Sequence, residues 1–281
     1  MEIIDSHQHF WYYSPETHDW IDDSMADIRR DFLPAHLKPI LRENDVNGTI
    51  AVQADQSITE TRFLLDLAED NGFIYGVVGW VDLKSEHLET QLDSLAHHEK
   101  LVGFRHIVQA EQDPLFLLQP EFRRGLEMIF ERGFTYDLLI YPHQLGAALE
   151  LIDRFPLAPI VIDHLAKPYI KARYIKAWAV MMKEISQYPH VYCKWSGMIT
   201  EANVLSWEAA DLEPYLDVTA ESFTADRLMF GSDWPVLNVA GTYEQVINLV
   251  EDYISGWPEQ DQKKVMGGNA REFYLEKKVW I

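Results

Sequence analysis

A single-domain (β/α)8 barrel of the TIM type is the fold this sequence predicts, and three observations predict it. Short apolar runs rich in β-branched and aromatic residues alternate with amphipathic stretches, the pattern of a parallel sheet with crossover helices. Eight such runs fall within 281 residues, the size at which a parallel sheet closes into a barrel. No Gly-rich phosphate loop follows the first run, which tells against a doubly wound dinucleotide fold. There is no linker, low-complexity segment or internal repeat, so one domain over 1–281 is expected.

The elements follow in order. Strand 1 is read over 2–7 and ends at His7, with His9 just beyond. Side chains alternate along a strand, so residues 7 and 9 share a face. A long connection, 10–34, carries Trp11, Tyr12, Tyr13 and Trp20. Strands 2 and 3, at 48–53 and 74–81, flank a helical stretch at 59–70. A helical stretch at 86–98 leads to strand 4, 101–108, which ends in Arg105 and His106. Those two face opposite ways, so one of them reaches the strand's open end, and alternation does not say which.

A helical stretch at 120–131 precedes strand 5, 134–139, which carries Asp137 amid apolar neighbours. After 144–154, strand 6 at 159–164 ends in Asp163 and His164, with Lys167 just past it. Alternation puts His164 on the face of Ile160 and Ile162 and turns Asp163 away, as a helix cap or a support for a neighbour. After 173–187, strand 7 at 190–196 carries Lys194 on the face of Tyr192 and Ser196. A buried unpaired lysine is expensive, so an acid or a ligand is expected beside it. A second long connection, 197–211, holds Trp207 and leads to a helical stretch at 212–223. Strand 8, 227–232, runs into Asp233, with Gly231 leaving room on the same face, and 243–253 completes the helical series. No helix is read between strands 1 and 2. Long loops in compact domains often form lids or binding walls, and their aromatics also cover a barrel rim.

Composition narrows the function. With 47% hydrophobic residues the chain can bury a sizeable core. Its 24 basic and 45 acidic side chains give a net charge of −21, which argues against nucleic-acid or anionic-membrane partners. One cysteine, Cys193, excludes an internal disulfide and a cysteine-based zinc cluster. No apolar segment precedes Asp5 and no apolar run is long enough to span a bilayer, so a cytoplasmic protein is expected. Oligomeric state cannot be read from any of this.

In a barrel, the C-terminal strand ends surround the active site. His7, His9, Arg105, His106, Asp137, His164, Lys194 and Asp233 all collect there. The ordered set resembles the amidohydrolase superfamily: Asp5-Ser6-His7-Gln8-His9 on strand 1, Asp163-His164 on strand 6 and Gly231-Ser232-Asp233 on strand 8. Finer motifs resemble its lactonase branch. These are Asp5–Trp11, Gly103–His106, Asp163–Pro168, Lys194–Gly197, Phe230–Pro235 and Gly268-Asn269-Ala270. That branch includes hydrolases of sugar lactones and of pyrone dicarboxylate. The superfamily's two-metal pattern has a bridging lysine on strand 4 and a histidine on strand 5. Here those places hold Arg105, His106 and Asp137, so a binuclear centre is not expected.

The resemblance implies a hydrolase that opens a small lactone, foremost a sugar-acid lactone, as its small-molecule partner. In that chemistry Asp233 activates water, while His7, His9 and His164 orient the water or the carbonyl. Arg105 and Lys194 stabilise the developing negative charge. Asp137, His106, Trp11, Trp80 and Trp207 are the expected substrate contacts, with ordinary packing the competing role of the tryptophans. His7, His9, His164 and Asp233 also suffice to hold one zinc or manganese ion, and catalysis with no metal fits the same residues. The alternatives are a single-metal decarboxylase, another hydrolase of this superfamily, and a non-catalytic sugar-acid binding protein.

Overall fold

A computed structural model describes residues 1–276; residues 277–281, the end of the expected domain, lie outside the described residues. Eight strands form one parallel sheet in chain order: β1 Ile4–Gln8, β2 Gly48–Val52, β3 Ile74–Gly79, β4 Leu101–His106, β5 Thr135–Leu138, β6 Ile160–Ile162, β7 Val191–Trp195 and β8 Leu228–Phe230. The sheet closes just past β8. Gln8 bridges Trp234, the His9 amide donates to Trp234 O at 2.7 Å, and the Asp233 amide donates to His7 O at 2.8 Å. The molecule is a (β/α)8 barrel in a single domain.

The helices are α1 Pro34–Glu43, α2 Ile58–Asp70, α3 Leu88–Leu95, α4 Pro120–Glu131, α5 Leu145–Arg154, α6 Lys176–Ile185, α7 Met198–Glu201, α8 Ala209–Phe223, α9 Tyr243–Ile254 and α10 Glu259–Lys263. The sequence reading lacks three of these: the short α7 and α10, and the ten-residue α1. Pro34 at its first turn needs no partner for a missing N–H, but Pro39 lies inside the helix and masks it as a loop. Among the described residues, no helix is long and apolar enough to cross a membrane.

Burial divides into two layers. The outer layer packs strand residues such as Ala51, Phe104, Ile160 and Ile162 against the helices. The inner layer is small: Ile4, Ile50, Val52, Val78, Val161, Tyr192 and Met229 fill the barrel's lower interior. Ala270, Phe273 and Tyr274 from the C-terminal segment join it and plug that end. Opposite-facing neighbours on β6, Val161 inward and Ile160 and Ile162 outward, show the period-two alternation at work. On β1 the pairing register slips between Asp5 and Gln8. Such a bulge re-aims side chains, and here Ile4 and His7 both end up inside.

Candidate active site

A cavity of about 540 Å³ opens at the C-terminal strand ends, within the range of small-molecule sites. His9, Arg105, His164 and Asp233 reach it from the barrel. Thr17, Asp19, Trp20 and Met25 come from the loop after β1, and Thr200, Glu201 and Val204 from the loop after β7. Both long connections therefore wall the cavity.

Asp233 lies at its base, with 6% of the side chain exposed. Its Oδ1 is 3.3 Å from His9 Nε2 and 3.9 Å from Nε2 of both His7 and His164. Burial opposes its charge, but His164, the His9 hydrogen bond and His7 outweigh burial and hold the carboxyl well below the usual carboxylate range. Burial pushes His164 the other way, down to about 4, and keeps His7 well below the ordinary imidazole value.

Each imidazole is oriented by a second contact. His9 Nδ1 donates to Val52 O at 2.7 Å, which aims Nε2 at Asp233. His164 Nδ1 meets Ser196 Oγ at 2.8 Å. His7 Nδ1 lies 3.3 Å from Asp163 Oδ1, and its Nε2 is 3.2 Å from His9 Nε2. Two ring nitrogens, His7 Nε2 and His9 Nε2, thus converge with a carboxylate oxygen. Like acceptors facing each other require a proton or a cation between them. The ligand atoms of His7, His164 and Asp233 lie within 4.8 Å of one another, and His9 adjoins them. This donor set fits one divalent ion bound by nitrogen and oxygen.

Beneath this layer sits a buried charge network. Lys194 Nζ is 2.5 Å from Asp137 Oδ2, 3.0 Å from Asp163 Oδ1 and 3.1 Å from His7 Nδ1. Arg105 Nη1 donates to Asp163 Oδ2 at 3.0 Å and lies 3.2 Å from His7 Nε2. Arg105 Nη2 donates to Gln53 O and, at 3.2 Å, to Gln53 Oε1. Tyr274, from the C-terminal plug, donates to Asp137 at 2.8 Å. Burial opposes the Asp163 charge, but Lys194, His7 and Arg105 hold it well below the carboxylate range. Asp137, where burial dominates, rises to about 6.

The structure sorts the expected residues. It brings His9, Arg105, His164 and Asp233 to the cavity wall and His7 directly beneath. Arg105, not His106, faces the site; His106 pairs with Glu111 at 2.6 Å and stacks on Phe116. Four expected contacts are corrected with it. Asp137 is fully buried under Lys194, one layer too deep to meet substrate. Trp11 is 1% exposed and donates to Arg30 O; Trp80 faces His106; Trp207 donates to Ala240 O. None of these tryptophans lines the cavity, whereas Trp20 does. Lys194, expected to stabilise developing charge and to sit beside an acid or a ligand, lies wholly buried beneath His7, beside Asp137 and Asp163 and away from the cavity wall.

The expectation that Asp163 and His164 point apart also fails. Strand β6 ends at Ile162, and His164, Leu165, Ala166 and Lys167 all have left-handed φ of 49–56°. That turn swings His164 inward beside Asp163, at a strain cost tolerated mainly at functional sites. Gly197 permits the arrangement: its φ is +61°, and a Cβ there would lie 2.6 Å from His164 Nδ1. Sequence reasoning also missed Gln53, Glu60, Tyr141, Glu201 and Tyr274. Glu60 accepts the Ala54 and Asp55 amides and so holds a cavity-lining turn. A glutamate three residues after Ser57 was the visible signal, since Ser57 caps α2. Tyr274 gave none.

The family model described as amidohydrolase matches residues 4–275. An L-fucono-1,5-lactonase of Burkholderia ambifaria is 37% identical over 275 residues, covering 96% of this chain and 94% of that protein. An L-rhamnono-gamma-lactonase of Scheffersomyces stipitis is 26% identical over 212 residues, covering 66% and 62%. A crystal structure of an amidohydrolase from Burkholderia multivorans with bound zinc superposes with a TM-score of 0.93 at 36% identity, covering 98% of this chain and 99% of that one. The match runs from β1 to the C-terminal plug, and the chain belongs to the amidohydrolase family.

Proposed function

We propose that this protein hydrolyses the lactone of a sugar acid, with L-fucono-1,5-lactone, the substrate named for its Burkholderia relatives, the first to try. One observation carries the reading: the Asp233 carboxylate at the base of a cavity of about 540 Å³, within 3.3–3.9 Å of three imidazoles and with the Arg105 guanidinium in the same wall. That is a base for water beside a cation for the oxyanion.

The steps follow from the positions. Water held between Asp233 and His9 attacks the lactone carbonyl carbon while an Asp233 oxygen takes its proton. The carbonyl oxygen becomes an oxyanion in the field of Arg105. Collapse breaks the ring C–O bond, and Asp233 returns the proton to the leaving alkoxide. The product is the open hydroxy acid. His9 orients the water through Nε2, fixed by its Nδ1 bond to Val52. His164 and His7 crowd Asp233 and keep it ionised. Lys194 and Asp163 act through His7 and Arg105 rather than on substrate. One divalent ion, zinc or manganese, would be held by His7, His9, His164 and Asp233, and when bound it would supply Lewis acidity at the carbonyl or water. A cytoplasmic setting belongs to the same reading, supported by the single cysteine.

The test is a pH-indicator assay across aldonic lactones. At least one should be opened, and Asp233→Asn should lower its turnover by about 10²–10⁴, the usual general-base factor. No hydrolysis of any lactone, or near-native turnover in Asp233→Asn, would sink the reading or its base respectively.

A further inference from the structure

Among the described residues two lysine or arginine side chains line the cavity, Arg105 and Lys167, and both are already paired. Arg105 is committed to Asp163 and Gln53. Lys167 Nζ lies 2.6 Å from Glu201 Oε1, with only 16% and 19% of the two side chains exposed. The pair is built in from both ends. Lys167 follows the left-handed turn after β6, with its Nζ 5.5 Å from the Tyr141 ring centroid. Glu201 ends α7, and its carbonyl accepts the Lys171 amide at 3.0 Å. The ion pair therefore stitches the β6 and β7 loops together and forms one side of the cavity. The cavity lining also includes Asp19, Asp55 and Asp233.

We infer that the Lys167–Glu201 pair sets substrate specificity: Glu201 occupies the Lys167 ammonium and so excludes lactones that carry a carboxylate, leaving the site to neutral polyhydroxy lactones. The inference rests on the lactonase reading. A carboxylate-bearing substrate entering this cavity meets acids and finds no unpaired lysine or arginine among the described residues that line it. Burial in a low-dielectric wall strengthens that repulsion. A neutral lactone faces no such penalty, and its hydroxyls can donate to Glu201 and the neighbouring carboxylates. Removing the Glu201 charge would leave Lys167 as a half-buried ammonium needing an anionic partner. A substrate carboxylate could then fill that place.

The experiment compares the neutral lactone of an aldonic acid with the monolactone of an aldaric acid, which keeps one free carboxylate. The native protein should favour the neutral lactone in kcat/KM by about ten-fold or more, roughly the worth of one charge-assisted hydrogen bond. Glu201→Gln should raise kcat/KM for the aldaric lactone by a similar factor, mainly through KM. In the double variant Glu201→Gln, Lys167→Gln that gain should vanish. Equal native use of both lactones overturns the inference and leaves the lactonase reading standing. So does a Glu201→Gln protein that loses both activities in proportion, or a double variant that keeps the gain. Should Glu201→Gln fail to fold, the native ratio alone decides. A native protein inactive on every lactone means instead that the lactonase reading has failed.

Discussion

Replacing Asp163 by asparagine tests the buried network most directly. Asp163 is fully buried and serves three groups: Arg105 Nη1 at 3.0 Å, Lys194 Nζ at 3.0 Å and His7 Nδ1 at 3.3 Å. Two cations, Arg105 and Lys194, face two acids, Asp137 and Asp163, so the interior network is neutral. Asparagine keeps the shape but leaves one buried positive charge without its counterion. It also puts an amide N–H₂ where a carboxylate oxygen accepts from Arg105 or Lys194. Removing one partner of a buried ion pair costs about 3–5 kcal/mol. For a domain of this size each kcal/mol moves Tm by roughly 2 °C, so Tm should fall by about 6–10 °C. Thermal unfolding followed by circular dichroism at pH 7 reads this out. Adding Lys194→Met restores neutrality and should recover a large part of the loss. A single variant within about 2 °C of native, or a double variant no more stable than the single, would refute the charge argument.

Three further outcomes are expected. Gly197→Ala places a methyl group 2.6 Å from His164 Nδ1 at a φ of +61°, so turnover should fall more than KM rises, and unchanged kinetics would show that His164's position is not critical. His190, buried with both ring nitrogens unpartnered, has its pKa lowered by burial from 6.5 to about 4. The native state then binds fewer protons than the unfolded chain between those values, so this contribution is lost as pH falls from about 6.5 to 4. His190→Leu should lose less Tm than native between pH 7 and pH 5, and an identical loss rejects the assignment. Metal analysis of the purified protein should find at most one ion per chain, because Lys194 and Arg105 repel a second; two tightly bound ions would overturn this.

Strand order and the histidine-aspartate mouth were legible because both depend on local pattern. Apolar runs and strand-end polar residues mark the sheet whatever the packing. Depth was not legible. Asp137 and Arg105 pair in register on β5 and β4, yet the long arginine reaches the cavity and the short aspartate stays below. Alternation failed where the strand stopped: the left-handed turn from His164 to Lys167 obeys no period-two rule. The tryptophans misled because a rim aromatic and a substrate platform have the same composition, and here Trp11 packs against Phe32 and Trp20. Tyr274 reaches Asp137 across 137 residues of chain, a contact no local pattern encodes.

The layering explains why this chemistry suits a lactone. The neighbours that keep Asp233 ionised also hold its carboxyl far down, and a strongly acidic carboxyl makes a weak base. Proton transfer to a weak base contributes less to a difficult reaction. Arg105 has its terminal nitrogens committed to Asp163 and Gln53, so it offers the oxyanion a fixed field more than a free donor. A resonance-stabilised amide would demand more from both groups. A lactone carbonyl is already activated and its alkoxide leaves with one returned proton, so a pre-oriented water, an ionised carboxylate and a fixed cation suffice. Fixing that cation is what the buried acids do: Asp163 holds Arg105 and His7 together, and Asp137 with Tyr274 holds Lys194 beneath them. The stability invested in the lower layer is thereby converted into the immobility of the upper one, where charge develops.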